Sequence, residues 1–120
     1  MSREVFEVVF TAWLAAFALS LAVEVPVFVL VARKQVPAWR AAVAGAAGTC
    51  LTHPLLWFVW VRVIEDYSLF IVLGELLVCC IETLTFWALA RPVPLRRALA
   101  ASFLANGASY GVGLVLERLS

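Results

Sequence analysis

The sequence predicts an all-α fold: a bundle of four transmembrane helices, built as two helix hairpins in parallel repeat. Three observations carry this. Of 120 residues, 65% are hydrophobic and 14% charged, against roughly half and a quarter in a soluble domain. The apolar residues fall into four runs, each long enough to cross a bilayer, with short polar segments between them. The second half also repeats the polar residues of the first half in the same order. One integral membrane domain over residues 1–120 follows, with spans at about 8–32, 41–61, 69–90 and 98–116.

The first span carries Glu24 and Pro26. Proline removes an N–H, so a kink is expected there. Arg33, Lys34, Pro37 and Arg40 make a basic loop, with Trp39 suited to the interface. The second span opens on Ala41, Ala42, Gly45 and Gly48, small residues that let helices approach closely. Thr49, Thr52, His53 and Pro54 follow, and Trp57, Trp60 and Arg62 mark its far end. Glu65 to Ser68 form a short acidic turn.

The third span holds Glu75 and Glu82. Seven residues are two helical turns, so both carboxyls lie on one face, with Cys79 between them. Arg91, Pro92, Pro94, Arg96 and Arg97 form a second basic loop, and the fourth span carries Ser102, Asn106 and Ser109. Six of the nine basic residues lie in the loops at 33–40 and 91–97. The positive-inside rule places these loops in the cytoplasm, both termini outside, and the chain in the inner (cytoplasmic) membrane. No cleaved signal peptide and no lipidation motif is expected.

The repeat is read from rare residue types. Glu24, Phe28, Ala32 and Arg33 match Glu82, Phe86, Ala90 and Arg91. After a one-residue slip, Val36, Pro37, Arg40, Ala41 and Ala44 match Val93, Pro94, Arg97, Ala98 and Ala101. Gly45, Thr49, Thr52 and Leu56 then match Ser102, Asn106, Ser109 and Gly113, each set on one helical face. Phe17 occupies the place of Glu75.

At about 1.5 Å of rise per residue, His53 and Asn106 fall within about 3 Å of the centre of their spans. Glu24 and Glu82 fall about 4–6 Å to the cytoplasmic side, and Glu75 about 7 Å to the other. The strongly polar residues therefore share one central slab. An uncompensated charge there is costly, so a shared site is expected. The candidate ligand- or ion-binding residues are Glu24, Thr49, Thr52, His53, Glu75, Glu82, Asn106 and Ser109. The same carboxyls could instead act as hydrogen-bonding glue between helices. Cys50, His53, Glu75, Cys79 and Glu82 form a weak metal-ligand set. The three cysteines otherwise read as small buried hydrophobes. No nucleophile–base pairing, glycine-rich phosphate loop or CxxC motif is present, and no cofactor is indicated.

The run from Thr49 to Trp57, the Glu75 and Glu82 pair, and the segment from Ser102 to Ser109 together resemble a group of small bacterial four-helix integral membrane proteins. That group has a Thr-(Asn/His)-Pro turn, two glutamates on one helix and a Ser/Asn helix. The resemblance implies the fold and the grouping of these side chains, and brings no activity with it. Glutamate-dependent intramembrane proteases of the CAAX-processing type use similar residue types, but need adjacent glutamates and further helices, which this chain lacks.

Three functions compete. Transport or permeation of a proton, cation or small polar solute needs polar groups at midplane and, with four spans, a homo-oligomer. A structural or accessory role would use the same groups to hold helices or dock a partner membrane subunit. An intramembrane enzyme would use Glu75 or Glu82 as acid and base with His53 assisting, and ranks last. The bilayer is the one certain partner. A net charge of +1 gives no field for nucleic acid.

Overall fold

The computed structural model describes residues 2–120, and these form four helices long and apolar enough to cross a membrane. We label them α1 (Arg3–Ala32), α2 (Ala38–Val63), α3 (Tyr67–Leu89) and α4 (Leu95–Leu119). Each starts a few residues before its apolar run and two of the four, α2 and α4, end beyond it, because caps set a helix boundary and hydropathy does not. The Ser2 hydroxyl accepts from the Val5 N–H at 3.3 Å and opens α1. The Asp66 carboxylate accepts from the Leu69 N–H at 2.8 Å and opens α3. α2 and α4 both start after an extended proline, Pro37 and Pro94, whose missing N–H costs nothing there.

The prolines inside helices behave differently. Pro26 is held within an α1 that runs unbroken from Arg3 to Ala32. Pro54 is followed by a π-helical stretch, Leu55–Trp60, before a last α-turn, Val61–Val63. A proline cannot donate to the preceding turn, and a wider turn takes up the mismatch.

The helices form a ring in which α1 packs on α2 and α4, and α3 packs on α2 and α4. The core lies at the end of the two basic loops. There Phe28, Ala32, Val36, Ala41 and Ala44 meet Phe86, Ala90, Val93, Ala98, Ala101 and Ala105. The rings of Phe28 and Phe86 touch, with centroids 4.6 Å apart. In lipid there is no hydrophobic drive between helices, so small side chains that allow close packing hold them together. Gly45 faces the Phe28 ring so closely that a Cβ would stand 2.8 Å from it. At Gly48 a Cβ would stand 3.3 Å from the Cα of Glu82.

The other end is open. α1 has no buried residue before Ser20, and α4 has none after Ala105. Along α1 the rings of Phe6, Phe10, Trp13 and Phe17 stack in sequence, and Trp13 packs edge-on to Phe58 of α2. Burial is thus concentrated at the loop end and falls away toward the chain termini.

Candidate functional site

Above the phenylalanine pair, all four helices turn polar side chains to the bundle axis. α1 supplies Ser20 and Glu24, one turn apart. α2 supplies Thr49, Thr52 and His53. α3 supplies Glu82 and α4 supplies Asn106 and Ser109. Glu24 and Glu82 are 3% and 1% exposed, so neither reaches solvent or lipid.

Glu82 is the hub. One carboxyl oxygen accepts from the hydroxyls of Thr49 and Thr52, each at 3.3 Å. The other accepts from the Asn106 amide. The same Asn106 nitrogen donates to the Ser102 carbonyl at 2.8 Å, which fixes its direction. Thr49 Oγ1 also lies 3.5 Å from Glu24 Oε1 and 3.3 Å from the Gly45 carbonyl. One hydroxyl has a single proton, so it serves one of these acceptors at a time. Two acidic groups that meet on one threonine need a proton or a cation between them to relieve their mutual repulsion.

A second chain of bonds crosses the open side of the hub. Ser20 Oγ lies 3.0 Å from His53 Nε2 and 3.3 Å from Ser109 Oγ. The imidazole packs edge-on to Phe17 at 5.5 Å and stacks on Trp57 at 6.5 Å. Its Nδ1 is buried and, among the described residues, has no hydrogen-bond partner. A serine beside a histidine suits nucleophilic chemistry only when a third group orients the ring. Here no described residue does so.

These groups line a cavity of about 130 Å³ that also touches Glu75 and Tyr110. No lysine or arginine lines it. Phe28 and Phe86 lie one turn beyond Glu24 and Glu82 on its loop side, and its volume suits an ion or a few waters.

All eight sequence-expected residues line this cavity or, for Thr49, bond to Glu82 at its floor. Glu75 differs from Glu82 in surroundings. It touches the cavity but sits at its rim, exposed, in the gap between α3 and α4. The helices have separated by that depth, so one helical face passes from interior to boundary within two turns. Ser20 and Tyr110 were not singled out by sequence. Ser20 lies one turn before Glu24, which is the signal that finds it.

The metal-ligand set is not brought together. Cys50 lies on the outer face of α2. Cys79 is buried, but the hydroxyl of Ser102 reaches its carbonyl at 3.2 Å and its sulfur at 3.4 Å. Among the described residues, no three His, Cys, Asp or Glu side chains are grouped to hold a metal. Cys50 and Cys80 are exposed, contrary to the reading of all three cysteines as buried hydrophobes.

No family model matches the chain, and neither a curated protein nor a solved structure is detectably similar to it.

Proposed function

We propose that the protein is a multi-pass carrier or channel subunit that binds a proton or small cation at Glu24 and Glu82 and passes it across the membrane. One observation carries this reading. Polar groups from all four helices converge on a cavity that holds two enclosed carboxyls, with a third at its rim, and no basic side chain. A cation held there is received by Glu24, Glu75 and Glu82, with Asn106, the threonine hydroxyls and the imidazole of His53 completing its shell. The basic loops support a loop end in the cytoplasm of the inner membrane. The exposed apolar faces at the open end suit a homo-oligomer.

The two hairpins act as parallel repeats on this reading. Five of the pairs matched in sequence are buried alike: Glu24 with Glu82, Phe28 with Phe86, Ala32 with Ala90, Val36 with Val93, and Ala41 with Ala98. Both loops are tied alike, Ala41 N–H to the Pro37 carbonyl at 3.1 Å and Ala98 N–H to the Pro94 carbonyl at 3.0 Å. Sites of repeat-built carriers lie where the repeats meet, and here Glu24 and Glu82 lie on either side of Thr49.

The test is flux of protons, Na⁺ and K⁺ into proteoliposomes, with Glu82→Gln and Glu75→Gln beside the wild type. Both substitutions should abolish flux while the oligomer and the helix content stay the same. Flux that survives both removes the proposal. A second reading is favoured by the bonds of Glu82 to Thr49, Thr52 and Asn106, which tie α3 to α2 and α4. In an accessory subunit these bonds serve packing alone. The same substitutions would then lower stability or partner pull-down, with no flux in the wild type to lose.

A further inference from the structure

The two sides of the bundle differ at one place. On the α1–α2 side, the ring of Phe17 lies against His53. The matching positions on the α3–α4 side hold Glu75 and Tyr110. There the packing leaves a groove of about 450 Å³, lined by Ile71, Val72, Leu76, Phe103 and Gly107 along with Glu75 and Asn106. Most of its walls are exposed on the outer surface of the bundle. The groove and the polar cavity share Glu75, Asn106 and Tyr110, so the two spaces join.

We propose that this groove is a lateral entrance, from the lipid, for an amphiphilic organic cation: an ammonium head seated at Glu75 and a short hydrocarbon tail along the groove. The proposal rests on the reading of the cavity as a cation site.

Size and charge both select this occupant. The cavity alone, about 130 Å³, holds only an ion or a few waters, each water taking roughly 30 Å³. The groove is of the size of ordinary small-molecule pockets and is apolar except for the Glu75 carboxyl, the Asn106 amide, the Cys79 thiol and the Tyr110 phenol. A carboxylate facing hydrocarbon is costly, and a cation beside it offsets that cost. A second copy of the chain cannot bring that cation. All nine basic residues, Arg3, Arg33, Lys34, Arg40, Arg62, Arg91, Arg96, Arg97 and Arg118, lie outside the central slab. An anionic lipid head would place negative charge against Glu75, and a zwitterionic head brings a phosphate along with its ammonium. An uncharged lipid leaves the carboxylate uncompensated.

Gly107 supplies a clean perturbation. A Cβ there would meet nothing within 4 Å. Gly107→Leu therefore fills the groove with hydrocarbon, and leucine is the better helix former.

The experiment is equilibrium binding of radiolabelled hexyltrimethylammonium to the full chain in nanodiscs, with tetramethylammonium, Na⁺ and hexanol as competitors. Helix content and oligomeric state are measured on every variant. Binding should be saturable, displaced at least tenfold better by unlabelled hexyltrimethylammonium than by tetramethylammonium or hexanol, and weakened at least tenfold by Gly107→Leu and by Glu75→Gln. Equal competition by tetramethylammonium shows that no tail is read and overturns the groove. Equal competition by hexanol shows that no charge is read and overturns the role of Glu75. Wild-type binding by a folded Gly107→Leu variant overturns the entrance. Absence of saturable binding, with copies joined through Gly107→Cys on oxidation, makes the groove a contact between copies and overturns the proposal. The two proposals fail separately. Flux lost in Glu82→Gln with normal hexyltrimethylammonium binding in Gly107→Leu sinks the entrance alone, whereas flux that survives both glutamate substitutions sinks the cation site beneath it.

Discussion

Replacing Glu82 with leucine tests whether its bonds hold the bundle together, and the structure sets the size of the effect. The substitution removes three side-chain hydrogen bonds, from Thr49, Thr52 and Asn106. Interhelical bonds of this kind in a membrane are worth about 0.6 kcal/mol on average, so the loss is about 2 kcal/mol. A larger penalty of roughly 1–3 kcal/mol per orphaned donor does not apply. Each donor keeps a backbone acceptor: Thr49 the Gly45 carbonyl at 3.3 Å, Thr52 the Thr49 carbonyl at 3.5 Å, and Asn106 the Ser102 carbonyl at 2.8 Å. Leucine regains little, because lipid is as apolar as the bundle interior. Glu82→Gln keeps the oxygen that faces both threonines and loses the acceptor for Asn106. It should cost about one bond, near 0.6 kcal/mol. Reversible unfolding in mixed micelles, followed by helix content against the fraction of denaturing detergent, should rank wild type above Gln above Leu. A leucine variant as stable as the wild type refutes the account of Glu82 as a structural hub. So does a glutamine variant less stable than the leucine one.

Gly48→Val places a branched side chain against the α3 backbone, where even a Cβ would stand 3.3 Å from the Cα of Glu82. It should cost about 1–3 kcal/mol in the same unfolding assay and disturb binding at Glu82. Gly74→Ala meets only the ends of side chains, Leu56 Cδ1 at 3.0 Å and Trp60 Nε1 at 3.2 Å. These can swing aside, so the same assay should show a smaller loss than at Gly48. Among single-cysteine variants in detergent, a lipophilic maleimide should label Cys50 and Cys80 faster than Cys79, which lies at the back of the groove under Ser102. Labelling rates read by mass spectrometry check this, and labelling of Cys79 as fast as Cys50 would displace α4 from its assigned place.

The spans were legible because hydrocarbon demands long apolar runs, and the loops because Arg and Pro interrupt them. Their ends were less so. The opening turns at Ser2, Pro37, Asp66 and Pro94 are set by local hydrogen bonds and backbone angles, which a hydropathy window averages away. The convergence of Glu24, Thr49, Thr52, Glu82 and Asn106 was legible from depth and periodicity, since polar side chains at midplane must face one another. The setting of Glu75 was not. Helical phase places it in line with Glu82, but how far the helices part at its depth depends on packing along the whole bundle. Ser20 was passed over because a lone serine in an apolar helix usually bonds its own backbone. The widened turn after Pro54 depends on how α2 meets α3 as well as on the proline itself.

The taper of the bundle decides where a transmembrane voltage would fall. From the open end, water or lipid headgroups can approach Glu75 at the cavity rim, so less of the field is lost on that side. From Glu24 to Ala32 the chain rises about 12 Å through a plug of alanine and phenylalanine. Most of the potential drops across that plug, at about 2.3 kcal/mol per charge for each 100 mV. On the carrier or channel reading proposed above, occupancy of the glutamates from the open side should feel the membrane potential weakly, while escape past Phe28 and Phe86 should feel it steeply. On that reading the phenylalanine pair, more than the carboxyls, would set rectification.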